Sequence, residues 1–139
     1  MNKVAVRDFM ARKLITFRPD TNIYAAISTL VRNGISGAPV VGDQGELLGV
    51  LSEKDCLRVL ANGVFHHYPA GPVSEYMTQA VMTVHPDTDM FTVADIFLKN
   101  IFRRLPVVED GKVVGQISRR DVLRAVEEIA KQDAPTGPA

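Results

Sequence analysis

Pro39-Val40-Val41, a turn over Gly42-Asp43-Gln44-Gly45 and then Gly49-Val50-Leu51-Ser52-Glu53-Lys54-Asp55 return later in the chain as Pro106-Val107-Val108, a turn at Asp110-Gly111 and Gly115-Gln116-Ile117-Ser118-Arg119-Arg120-Asp121. Working outward, Met10, Thr16, Pro19, Asp20, Thr21 and Asn33 recur 67 positions on as Met77, Thr83, Pro86, Asp87, Thr88 and Asn100. One residue fewer in the second turn changes the offset to 66, at which Gly49, Ser52, Asp55, Leu57 and Arg58 reappear as Gly115, Ser118, Asp121, Leu123 and Arg124. So many residue types in so strict an order mark an internal duplication. Two related units predict a pseudo-twofold body, in which a site at the seam between the halves comes as a related pair.

Each copy reads as a short leading segment followed by helix, strand, strand and helix, a mixed α/β (α+β) plan with a small sheet packed against helices. In the first, Thr21 or Asn22 caps a helix whose apolar residues Ile23, Ala26, Ile27, Leu30 and Val31 keep helical spacing up to the stop at Asn33-Gly34. Ala38 to Val41 and Leu47 to Leu51 are strands, with Pro39 expected at an edge or strand start. From Ser52 the pattern is helical again, with Cys56, Leu57, Val59 and Leu60 apolar. In the second copy Met90, Val93, Ala94, Phe97, Leu98 and Ile101 form the apolar face of the first helix, and the last helix runs from Arg119 towards Lys131. The resulting division is repeat 1 over 1–63, a connection rich in glycine and proline over 64–72, repeat 2 over 73–131 and a flexible tail over 132–139.

With 139 residues both repeats can share one folded body, whereas a single repeat of about 60 residues would be marginal. Hydrophobic residues make up 46% and charged residues 23%, an ordinary balance for a folded domain, and no apolar run approaches the length of a membrane span. Charges interrupt the first residues, so no secretory leader is expected and the cytoplasm is the expected compartment. Sixteen basic and 16 acidic residues give no net field toward nucleic acid or an anionic membrane. Cys56 is the sole cysteine, which excludes an intrachain disulfide and a cysteine-based zinc site and leaves it as small helix filler.

The Pro-Val-Val, turn and Gly-x-x-Ser-x-x-Asp order, present twice in matching contexts over nearly the whole chain, resembles the CBS domain, whose tandem pairs are called Bateman modules. That resemblance implies a regulatory pair binding an adenosine-containing ligand in the cleft between repeats, often as a dimer of pairs. It also implies that one pocket combines Ser52 and Asp55 with Thr83, Val84, Arg103, Arg104 and Leu105, while its mate combines Ser118 and Asp121 with Thr16, Phe17, Ser36, Gly37 and Ala38. Backbone groups would then bind the adenine edge, and the two acids would bind ribose.

The residues themselves leave two readings of Ser52–Asp55 and Ser118–Asp121. Each matches the serine-x-x-acid capping box at a helix start. A carboxylate can equally accept from the two hydroxyls of a cis-diol, while a helix N-terminus presents N–H groups to phosphate. Arg119 and Arg120 replace Glu53 and Lys54, and Arg103-Arg104 replace Ser36-Gly37, so the pockets are inequivalent. Cations in a first helical turn oppose the helix dipole, a cost that an anion offsets, and guanidinium groups suit phosphate. His66, His67 and Tyr68 read as loop residues rather than a metal site, and His85 as a loop or core residue.

Four functions compete. The leading one is a sensor of AMP, ADP or ATP, with S-adenosylmethionine or NAD also possible, acting on a protein effector in trans and requiring no cofactor for chemistry. The second is a dimerisation scaffold with degenerate pockets. An enzyme lacks a nucleophile–base pair in the sequence, and a nucleic-acid binder lacks a basic-aromatic stripe. Surplus apolar residues, notably Phe91, Phe97 and Phe102, predict a homodimer formed by helix packing.

Overall fold

Residues 4–62, 71–79 and 81–133 are described by the computed structural model. His66, His67, Tyr68, most of the expected connection and the tail from residue 134 lie outside the described residues. The first repeat contains a 3-10 turn at Val6–Asp8, helix α1 (Ile23–Asn33), strands β1 (Gly37–Val41) and β2 (Leu47–Ser52), and helix α2 (Glu53–Asn62). The second contains a 3-10 turn at Val73–Glu75, α3 (Met90–Lys99), β3 (Arg104–Glu109), β4 (Lys112–Ser118) and α4 (Arg119–Asp133). The mixed plan of helices and small sheets expected from the sequence is the observed fold, with β1 paired to β2 and β3 to β4.

Local chemistry explains where the helices begin and stop. Asn22 caps α1 by accepting from the Tyr24 N–H at 2.8 Å, and Asp89 caps α3 by accepting from the Thr92 N–H and hydroxyl, both at 2.9 Å. Gly34 ends α1 at φ 61°, a left-handed position that glycine adopts without steric cost. The corresponding residue in the second copy is Ile101, which cannot do this cheaply. There α3 ends at Lys99 and the chain leaves in extended form at Asn100, φ −136°. Ile101 therefore lies beyond the helix and is 90% exposed, and Leu98 is 85% exposed, so these two do not belong to the buried face that the periodicity suggested.

Pro39 stands inside β1 opposite Val50 of β2. The Phe17 N–H donates to the Pro39 carbonyl at 2.9 Å and the Val41 N–H donates to the Phe17 carbonyl at 2.8 Å. The missing N–H of Pro39 thus faces the Phe17 side, and the ladder to β2 is spared.

The chain divides into two compact units that cut across the repeats. One takes the residues up to Lys13, Met82–Asp110 and those from Val114 onward; the other takes Leu14–Val81 with Gly111–Val113. The leading segment of each repeat is therefore built into the unit that holds the other repeat's sheet. In the first unit Ala11 and Gln116 exchange backbone hydrogen bonds of 2.9 and 3.0 Å, and in the second Thr78 and Val50 exchange two of 2.9 Å. Val4 and Val6 join the core of Val84, Met90, Val93, Leu105, Val107, Ile117 and Ala125. Val73 and Tyr76 join that of Phe17, Ile23, Ala26, Leu30, Ala38, Val40, Leu51 and Val59. Burying each such aliphatic side chain contributes about 1.5–3 kcal/mol, which makes the leading segments integral parts of these cores.

Recurring residues hold those segments in place. A Cβ on Gly49 would meet the Thr78 carbonyl oxygen at 2.8 Å and the Met77 sulfur at 2.9 Å; one on Gly115 would meet the Ala11 oxygen at 2.8 Å and the Met10 sulfur at 2.7 Å. Arg58 donates to the Tyr76 carbonyl and lies 5.6 Å from the centre of the Tyr76 ring. Arg124 donates to the Phe9 carbonyl at 2.8 Å and lies 5.8 Å from the Phe9 ring centre. Cation–π contacts at such exposed sites contribute about 0.5–1 kcal/mol each.

Candidate functional site

Both Ser-x-x-Asp motifs form reciprocal caps. Each lies where a strand passes directly into a helix, β2 into α2 and β4 into α4. Asp55 Oδ2 accepts from the Ser52 N–H and the Ser52 hydroxyl, each at 2.9 Å, while the Ser52 Oγ accepts from the Asp55 N–H at 3.1 Å. Asp121 Oδ2 accepts from the Ser118 N–H at 2.8 Å and the Ser118 hydroxyl at 3.0 Å, and the Ser118 Oγ accepts from the Asp121 N–H at 3.3 Å. Two orphan donors at each helix start are thereby satisfied.

The remaining oxygens differ. Asp55 Oδ1 accepts from the Thr78 hydroxyl at 3.2 Å, and the Arg58 guanidinium stays 3.8 Å away. Asp121 Oδ1 accepts directly from Arg124 Nη2 at 2.9 Å. Both carboxylates are only 15% exposed. An ionised carboxylate has about four acceptor positions, so three protein donors leave roughly one for a further partner.

Of the other predicted site residues, Ser36, Gly37, Arg103 and Arg119 lie beside the cap of their own repeat. Gly37 lies opposite Ser52 across the sheet, and the Ser36 carbonyl accepts from the Glu53 N–H at 2.8 Å. The Arg103 carbonyl accepts from the Arg119 N–H at 3.3 Å, and the Arg119 side chain donates to the Phe102 carbonyl at 3.0 Å. Thr16, Lys54, Thr83, Arg103, Arg119 and Arg120 are exposed, and Arg104 is half-buried. Phe17, Ala38, Val84 and Leu105 are core residues, between 1% and 6% exposed, so their side chains are committed to packing. Phe17 and Val84 also carry parallel bridges to Val40 and Val107.

Cys56 follows Asp55 on α2 and packs partly against the core. Burial, then the nearby Asp55 and Glu53 carboxylates, push its thiol pKa up against a smaller lowering by Arg58. A thiol held protonated in this way is a poor nucleophile. A groove of about 500 Å³ runs between α1 and α2, lined by Ile27, Val31, Ile35, Cys56 and Leu57 together with Glu53. His85 accepts the Asp87 N–H at its Nδ1 at 3.0 Å, which gives it a part in shaping its own turn. Among the described residues no three His, Cys, Asp or Glu side chains are grouped to hold a metal ion, and no helix is long and apolar enough to cross a membrane.

The sequence reading missed the contributions of Thr78 and Arg124 to the two acids. Arg124 carried a signal, since it recurs with Arg58. Thr78 carried none, because its counterpart is Ala11.

Two small sheets with capped helices and a repeated serine–acid motif define a tandem-repeat module of mixed helices and strands, and comparison with known proteins specifies it. The CBS domain matches residues 6–62 and 73–128, and the chain belongs to the CBS-domain family. CBSX2, a CBS-pair protein from Arabidopsis thaliana, superposes with a TM-score of 0.82 at 33% identity, covering 96% of this chain and 100% of that one. Its complex with AMP superposes with a TM-score of 0.80 at 34% identity over 91% of this chain and 98% of that one. The CBS domain pair of MJ0100, bound to 5-methylthioadenosine and S-adenosyl-L-methionine, gives a TM-score of 0.76 at 27% identity over 92% of this chain and 99% of that one. The uncharacterised protein MJ1225 of Methanocaldococcus jannaschii is 32% identical over 119 residues, 86% of this chain. This chain spans 41% of the length of MJ1225 and 15% of that of another relative, an A-adding tRNA nucleotidyltransferase of Aquifex aeolicus.

Proposed function

We propose that the chain is a regulatory, non-catalytic CBS pair that binds an adenosine-containing ligand, AMP, ADP or ATP before S-adenosylmethionine or NAD. Its bound state is read in the cytoplasm by a protein effector in trans, with neither nucleic acid nor membrane as partner. The carrying observation is the pair of shielded carboxylates, Asp55 and Asp121, each fixed at a helix N-terminus with an acceptor position left over. Ribose hydroxyls suit that position, and the first-turn N–H groups suit phosphate. Arg103, Arg104, Arg119 and Arg120 supply cations for the phosphate end, and Ser36, Gly37, Thr16 and Thr83 supply polar backbone or hydroxyl groups near the sheet ends. CBSX2 with AMP and MJ0100 with S-adenosyl-L-methionine support the ligand class.

Calorimetric titration with adenosine, AMP, ADP, ATP, NAD and S-adenosylmethionine tests the reading. Affinity is expected to rise with phosphate number, and the rise is expected to shrink with salt and in the Arg103→Ala, Arg120→Ala double variant. Equal affinity for adenosine and ATP at low salt would return the arginines to a solvated surface. A ligand-free scaffold is the second reading, favoured by the fact that capping alone accounts for every Ser52–Asp55 and Ser118–Asp121 hydrogen bond. Absence of binding by any adenosyl compound would select it.

A further inference from the structure

The two acids are held by equivalent caps but by different third partners. Thr78 and Ala11 occupy matching positions, each exchanging backbone hydrogen bonds with the strand that leads to its serine, Thr78 with Val50 and Ala11 with Gln116. Only Thr78 has a hydroxyl, and it donates to Asp55 Oδ1 at 3.2 Å, with Oδ2 at 3.5 Å. Arg58 is left 3.8 Å from that oxygen. Ala11 has only a methyl there, and Arg124 closes to 2.9 Å on Asp121 Oδ1, the same guanidinium nitrogen also donating to the Phe9 carbonyl.

From this difference we infer that residues 78 and 11 are positioning residues that make the two carboxylates unequal receptors for a cis-diol. The inference rests on the reading of Asp55 and Asp121 as ribose contacts. A neutral hydroxyl on an exposed residue rotates to water at little cost, which frees both acceptor positions of Asp55 Oδ1 for two ligand hydroxyls. Releasing Asp121 Oδ1 means breaking a charge-assisted bond from Arg124, about twice as strong as a neutral one. Asp121 thus offers a ligand one position while Asp55 offers two. The Asp55 site is the tighter of the pair and the one that counts both ribose hydroxyls.

The test titrates AMP, 2′-deoxy-AMP and 3′-deoxy-AMP into the Asp121→Asn chain, which isolates the Asp55 site, and the Asp55→Asn chain, which isolates the Asp121 site. Asparagine keeps an oxygen to accept from the capping serine. The Asp55 site is expected to bind AMP more tightly and to lose roughly ten-fold on removal of either hydroxyl, the value of one hydrogen bond to a charged group. The Asp121 site is expected to lose that factor for only one of the two. Ala11→Thr, at an exposed position, is expected to displace Arg124 and give the Asp121 site the second penalty, and Thr78→Ala to remove one from the Asp55 site. Equal deoxy penalties at the two sites would overturn the inference while leaving the ribose reading intact. AMP binding of undiminished affinity in the Asp55→Asn, Asp121→Asn double variant, or no AMP binding by the unaltered chain, would overturn the ribose reading and this inference with it.

Discussion

Gly115 lies so close to Ala11 that a Cβ on it would meet the Ala11 carbonyl oxygen at 2.8 Å. The contact is to backbone that is itself hydrogen-bonded to Gln116, the next residue of β4, so neither partner can swing aside. A methyl group here acts as overpacking at a sheet edge.

Gly115→Ala is therefore expected to cost about 1–3 kcal/mol and to loosen the leading segment from β4. Urea unfolding read by circular dichroism, with amide exchange at Ala11 as the local probe, measures both. A midpoint and an exchange rate equal to those of the unaltered chain would show that the segment can shift to accommodate the methyl.

The capping role of the acids and the ligand role proposed for them separate in variants. Ser118→Ala removes the cap's hydroxyl and is expected to cost about 1 kcal/mol of stability. Asp121→Ala instead removes the carboxylate and leaves the serine hydroxyl, and beyond the lost cap is expected to weaken nucleotide binding by roughly ten-fold in the site proposed for it; Asp55→Ala does the same at the other. Nucleotide affinity unchanged in both single variants and in the double would confine the acids to capping.

The cap of α3 gives a pH dependence with a definite sign. Hydrogen bonds from the Thr92 N–H and hydroxyl hold the Asp89 carboxyl below its usual value. A depressed folded-state pKa means that the stabilisation is present above the unfolded value, near 4, and is lost as pH falls through the folded one. Asp89→Asn is thus expected to be less stable than the parent at neutral pH and to converge toward it in acid. Parallel stability curves from pH 7 down to about 2 would refute the assignment.

Apolar side chains left outside both cores predict self-association. Val31, Leu57 and Leu60 are 74%, 69% and 56% exposed in one unit, and Phe91 and Leu123 are 66% and 68% exposed in the other. We expect a homodimer built from such helix faces, and light scattering at tens of micromolar should give twice the chain mass. Leu57→Asp or Phe91→Asp should halve it at little cost to the fold. A monomeric mass for the unaltered chain would count against the dimer.

The sequence by itself determined the duplication, the order of elements and the helix caps. Those features are local or periodic: Ser52 meets Asp55 and Asn22 meets Tyr24 within a single turn, and the apolar spacing of α1 or the branched residues of β2 declare their elements without reference to the rest of the chain. Even the failure at Ile101 is local, since the missing left-handed glycine was visible beside Gly34. Only the tertiary structure decided which sheet each leading segment joins, and with it why Gly49, Gly115, Met10, Met77, Arg58 and Arg124 recur. Backbone hydrogen bonds such as Ala11 to Gln116 and Val50 to Thr78 are open to almost any residue, so side-chain identity does not encode the choice of partner. That choice falls to which core leaves room for Val4 and Val6, or for Val73 and Tyr76, and on it depends whether a carboxylate meets the hydroxyl of Thr78 or the guanidinium of Arg124.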